Sequence, residues 1–184
     1  MKKLPSLFLT LLLVACDLPV SLLVPTSSPS PFPTIVTDTL TYEQCAFNWA
    51  THALPELSTQ VQRAMEAAGL TGINAIAEAY GEDCIGASTG QAVSFSTLET
   101  DFRITAQVKD LTDRERLGAL LEQVLLVLDG FPADQTPGPQ PGYIGVTFQA
   151  GEDATRVWFT VRAGEAARKQ DLHGAALLDA LQNK

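Results

Sequence analysis

The sequence predicts an α+β domain: an antiparallel sheet of about four strands packed on helices, in the order helix, strand, strand, helix, strand, strand, helix. Three observations carry this. Apolar residues recur at helical spacing from Leu117 to Leu128. Two-residue alternation runs through 93–108 and again through 143–149 and 155–162. Strands and helices do not follow the repeating βαβ rhythm of a parallel sheet.

Taken in order, Thr41 and Gln44 have capping-box spacing, so a first helix is expected from there. It would carry Cys45, Trp49, Ala53, Leu57, Val61, Met65 and Ala68 on one side and end at Gly69. Pro55 either kinks that helix or begins a second one. Ile73 to Tyr80, between Gly72 and Gly81, reads as a short strand. In 93–108, Leu98, Phe102, Ile104, Ala106 and Val108 point one way, while Glu99, Asp101, Arg103, Thr105 and Gln107 point the other, giving a long strand with one wet face.

Thr112 with Glu115 forms a second capping box before the Leu-rich helix, which Gly130 and Pro132 close. A Pro- and Gly-rich loop over 131–142 leads into a hairpin of 143–149 and 155–162 around the turn at Gly151 to Ala154. Asp171 is placed to cap a last short helix returning Leu177, Leu178 and Leu181 to the core. The helices would then cover Phe102, Ile104, Ile144, Val146, Phe148, Val157, Phe159 and Val161, leaving the other sheet face open.

The amino terminus has a different character. Lys2 and Lys3 precede an apolar stretch from Leu7 to Val14, too short to span a bilayer, and Leu13-Val14-Ala15-Cys16 follows. This motif resembles a bacterial lipoprotein lipobox and covers residues 1–16 only. The resemblance implies that 1–15 are a removed signal peptide and that Cys16 carries diacylglycerol, which supplies the more-than-one-chain anchoring a stable membrane attachment needs. It places the protein outside the cytoplasm, tethered to a bacterial membrane. Residues 16–40 would form the tether. Pro25 to Pro33 reads Pro-Thr-Ser-Ser-Pro-Ser-Pro-Phe-Pro, either an extended stalk or a tether without preferred extension, leaving 41–184 as one domain.

Loss of Lys2 and Lys3 with the signal would leave ten basic residues against 21 acidic ones, a formal charge of −11. Nucleic acid and anionic lipid surfaces are poor partners for such a chain. Of three cysteines, lipidation of Cys16 leaves Cys45 and Cys84 as an even pair in a compartment where disulfides persist. A disulfide is the expectation, with a metal site or reactive thiol as rivals.

The open face should present Glu99, Asp101 and Arg103 on the long strand, Tyr143 on the hairpin's first arm, and Arg156, Trp158 and Arg162 on its second. A tryptophan among arginines on a polar face is a typical interface anchor, since its flat surface gains most when a partner covers it. The bland reading is that its own chain or the arginine stems cover the ring. A protein or an envelope polymer is the expected partner; self-association through this face or a strand edge is a further reading.

His52 and Glu56, four apart on the expected helix, suggest metal or general-base chemistry near a loop lid, although Pro55 interrupts the turn between them. His173, after Arg168 and Lys169, stands at a helix entry where an anion could bind. Glu82, Asp83 and Cys84 offer metal-ligand atoms but read more simply as an acidic turn. The chain has no nucleophile elbow, phosphate-binding loop, dinucleotide fingerprint or zincin pair. No residue is assigned a catalytic role, and no metal or cofactor is expected.

Overall fold

Pro55 decides the first half of the domain. In the computed structural model, which describes residues 44–182, the chain before it is not helical: Cys45–Ala53 is strand β1, and helix α1, Pro55–Ala67, begins at the proline. Proline's fixed φ and missing N–H suit the first helical position and no later one. The single kinked helix expected from Thr41 is therefore corrected to strand plus helix; Thr41 itself lies outside the described residues, as do Cys16, the signal and the tether.

Strand β2, Ile73–Gly86, runs well past the expected end at Tyr80. Gly81 sits at a register shift between β2 and β3, Ala92–Gln107, where a Cβ would overlap the Ser96 carbonyl. The glycine that looked like a stop is a bulge position that lets the strand continue. Helix α2, Arg114–Leu128, follows. Its N-cap is Asp113, whose carboxylate accepts the Arg116 N–H at 3.1 Å, rather than Thr112, whose hydroxyl donates to Asp110.

The hairpin is β4, Gln140–Ala150, and β5, Asp153–Thr160. It ends earlier than the alternation suggested, because the Thr160 hydroxyl accepts the Ala163 N–H and caps an unexpected helix α3, Val161–Lys169. Val161 and Arg162 thus leave the sheet. The last helix α4, Gly174–Gln182, is not capped by Asp171, which adopts a left-handed backbone at φ 57° in the connection. Instead Glu115 reaches across from α2 to accept the Ala175 N–H at 3.0 Å. The two helices meet where Gly118 faces Gly174, whose carbonyl a Cβ on residue 118 would overlap.

The described residues form an α+β fold with five strands and four helices, in the spatial strand order β1-β2-β3-β4-β5. Two expectations are corrected here. There is one strand more than expected, and the sheet is mixed: β3 and β4 run parallel while every other neighbouring pair is antiparallel. Parallel neighbours need a crossover, and α2 provides it. Helices pack on the face bearing Phe102, Ile104, Ile144, Val146, Phe148, Val157 and Phe159, all buried with Leu117, Leu121, Leu177, Leu178 and Leu181. No helix among the described residues is long and apolar enough to cross a membrane.

Helix α1 has a second task. Strand β1 pairs with β2 only as far as Ala53 opposite Glu78, leaving the β2 edge at 73–77 without a strand partner. Ser58 and Gln62 of α1 cover it: the Ser58 hydroxyl accepts the Ala77 N–H at 2.8 Å, and the Gln62 side chain accepts from Ala75 N–H at 2.8 Å and donates to the Ile73 carbonyl at 3.1 Å. Alanines at 75 and 77 leave room for the helix to come that close.

Candidate functional site

Strand register fixes which side chains share the face turned away from the helices. Arg103 of β3 is opposite Gly145 of β4, which is opposite Trp158 of β5; one step along, Thr147 is opposite Arg156. Gly145 matters because a Cβ there would overlap the Trp158 ring, so the indole lies in the notch that glycine leaves. Tyr143 stacks on Trp158 with ring centroids 5.6 Å apart and planes 13° apart. The Arg156 and Arg103 guanidinium carbons lie 4.5 and 5.3 Å from the indole centroid. A recess of about 590 Å³ opens beside them, lined by Arg103, Arg156, Trp158 and Gln182.

The two arginines differ. Arg103 is paired with Glu78 across the β2–β3 ladder, whereas Arg156 has no carboxylate partner among the described residues and holds its charge over an aromatic ring. Trp158 is half-buried, so the arginine stacking foreseen as its bland explanation is present, from Arg156 and Arg103. Arg162 is not on this face as a strand residue; it is an exposed position of α3.

The carboxylates also sort themselves. Asp101, expected on the wet face, is 7% exposed, and its Oδ1 accepts the Tyr143 N–H at 2.8 Å where the β3–β4 register shifts. Burial holds its pKa above the ordinary aspartate value, with Glu78 adding repulsion, against the lowering effects of the Tyr143 N–H and Arg103. Glu99 is half-buried and its pKa is likewise raised, by burial first and by Asp101 second. Asp101 is thus a structural carboxylate inside the face.

The face carries a second aromatic pair that sequence reasoning placed elsewhere. Trp49 of β1 stacks on Tyr80 of β2 with centroids 5.4 Å apart and planes 6° apart, and is 62% exposed, as is Phe47. Helical spacing had put Trp49 on an apolar helix side. The two-residue recurrence of Cys45, Phe47, Trp49 and Thr51 was the signal available for a strand.

Cys45 and Cys84 form a disulfide, joining β1 to β2 across 39 residues of sequence. His52 is on β1, not on a helix with Glu56. Its ring stacks on Phe95 at 4.0 Å, and its Nε2 is 3.0 Å from Asp83 Oδ1. Glu56 instead lines a cleft of about 440 Å³ between the start of α1 and Gln135 and Pro137 of the Pro-rich loop, which His52 does not reach. The loop is pinned to β3 by the Thr100 hydroxyl donating to the Pro137 carbonyl at 2.7 Å.

His173 lies between Glu122 at 2.8 Å and Asp171 at 3.1 Å. Those hydrogen bonds, Glu122 first, hold its pKa above the ordinary histidine value. Carboxylates thus fill the place where an anion was imagined. No cluster of three or more His, Cys, Asp or Glu side chains among the described residues could hold a metal ion. No family model matches the chain, and no curated protein or solved structure matches it.

Proposed function

We propose that the chain is a lipid-anchored, extracytoplasmic binding domain, non-enzymatic, whose open sheet face engages a protein or an envelope polymer. Trp158 and Tyr143 are the anchors of that reading; Arg156, Arg103 and Glu99 set the partner's orientation. The anchor to a bacterial membrane through Cys16 rests on the lipobox resemblance. The observation that carries the reading is the Arg156–Trp158–Tyr143 stack beside an open recess, with the Arg156 charge unpaired among the described residues. A cation stacked on an indole keeps its charge outward, and such Arg and Trp pairs dominate binding energies where partners cover them.

The test is photo-crosslinking in intact cells with a reactive residue in place of Thr147, which neighbours Arg156 on the face. A discrete adduct is expected, and Arg156→Glu or Trp158→Ala should reduce its yield by about tenfold or more, the scale of a lost interface anchor. An adduct undiminished by both changes, or none in cells holding folded protein, overturns the proposal.

A further inference from the structure

We infer that the recess beside Trp158 is a carboxylate site, and that the partner of the open face is an acidic polypeptide segment that places an Asp or Glu side chain in it. The inference rests on the open-face reading above and names the group that face recognises.

The hydrogen-bonding groups of the recess are one-sided. Arg103, Arg156, Trp158 and Gln182 line it. Guanidinium and indole groups donate and never accept. The one side-chain acceptor in the set is the Gln182 amide oxygen, and it is already engaged, accepting from Arg114 Nη2 at 2.9 Å. What Gln182 has left to offer is its NH2 group. Arg103 bonds Glu78 through Nε, and among the described residues its two terminal nitrogens are unused. Arg156 makes no side-chain hydrogen bond or ion pair among the described residues and lies stacked on the indole. Both arginines are exposed.

A ligand for such a lining must accept hydrogen bonds without having to donate them. That selects an oxyanion over a neutral sugar, whose every hydroxyl brings a proton that needs an acceptor. The ring on which a sugar would stack is also occupied: Tyr143, Arg103 and Arg156 lie against the Trp158 indole, and the ring fills the notch at Gly145.

Charge narrows the oxyanion. In a chain with 21 acidic residues against 12 basic ones, no acidic side chain lines this recess. Glu78 balances Arg103, so one positive charge, that of Arg156, stays unbalanced. One excess positive charge matches a carboxylate better than a phosphate dianion. The planar fork of Arg156 can take both oxygens of a carboxylate at once, and stacking on the indole orients that fork before the ligand arrives. The carbon stem of an Asp or Glu side chain can lie along the Tyr143–Trp158 pair, whereas a uronate sugar would bring hydroxyls that the recess has no acceptor to meet. The lining therefore favours a polypeptide source. Because the chain as a whole repels polyanions, binding of this kind has to come from the local site.

Isothermal titration of the full chain with poly-L-glutamate is expected to show binding, which Arg156→Gln should weaken by about tenfold or more. Arg162→Gln removes a charge from an exposed position of α3 outside the recess and should leave the affinity in place. Polygalacturonate and polyphosphate should bind more weakly than poly-L-glutamate by about tenfold or more. No binding of poly-L-glutamate by the folded chain, binding indifferent to Arg156→Gln, or binding reduced equally by Arg162→Gln overturns the carboxylate site. Polygalacturonate or polyphosphate bound as tightly as poly-L-glutamate overturns the polypeptide source. The Thr147 adduct separates these failures from failure of the open-face reading. If it still forms and still falls with Trp158→Ala, the face stands as an interface and only the carboxylate assignment is lost; if it too is absent, both are lost.

Discussion

Asp101 shows how a charged side chain on the nominally wet face of a strand can be structural. Its carboxylate is taken up by the Tyr143 N–H, and burial raises its pKa, so the charge costs the folded state stability. With the folded pKa above the unfolded value, the folded chain keeps the proton where the unfolded chain has lost it, and stability falls as pH rises from the unfolded value through the folded one. Asn keeps an oxygen for the Tyr143 N–H and carries no charge. Asp101→Asn is therefore expected to raise the thermal midpoint at pH 7. That advantage should shrink as pH is lowered through the folded pKa, where the wild-type group also becomes neutral. Thermal scans at several pH values check this, and a variant less stable at pH 7 would show that the charge itself holds the β3–β4 register. Alternation in the sequence put Asp101 on the correct side of the strand, but it could not reveal the register shift that draws the carboxylate inward.

At the scale of elements, α1 takes the place of a strand along the first part of β2, residues 73–77. Replacing Ser58 by Ala and Gln62 by Leu removes the acceptors for the Ala77 and Ala75 N–H groups, and each buried donor left unpaired costs about 1–3 kcal/mol. The double variant is expected to lose several kcal/mol at most, with hydrogen exchange at Ala75 and Ala77 accelerated more than elsewhere in β2. Uniform acceleration along β2 would mean that the helix contributes only apolar packing. Elements with one buried face were legible: the Leu-rich helix, the 92–107 strand and the hairpin all show their period because the core imposes it. Strand β1 was misread because it is exposed on both faces and so has no buried period, while Cys45, Trp49, Ala53 and Leu57 happen to fall four apart. The open-face residues of β3, β4 and β5 were legible for the same reason as the core, and Trp49 was lost with the strand that bears it. The parallel β3–β4 pairing was hidden because a single crossover helix resembles any other strand–helix–strand connection.

Over the whole molecule, helix coverage is uneven, and cooperativity should follow it. Helices bury the sheet around Ile104, Val146 and Phe148, whereas β1 and the Ser88–Val93 end of the β2–β3 hairpin are largely exposed. Local opening free energies track buried apolar contact, so the outer strand should belong to a weaker unit than the core. The Cys45–Cys84 bond is what ties that unit down, since it fixes the start of β1 to β2 where no helix packs. Removing it by Cys45→Ser with Cys84→Ser is expected to lower global stability by about 2–4 kcal/mol, the typical disulfide contribution. The distribution of the loss is the sharper expectation. Amides that β1 bonds inward, at Ala46, Asn48, Ala50 and His52, should lose protection by about tenfold or more beyond the global loss, because the strand can then leave β2 from its Cys45 end while α1 still holds the other. Amides of Ile104, Val146 and Phe148 should change only by the global amount. Native-state hydrogen exchange read residue by residue separates these outcomes. Equal loss at β1 and at the core would mean that β1 is part of the same cooperative unit and that the bond acts only on the unfolded chain.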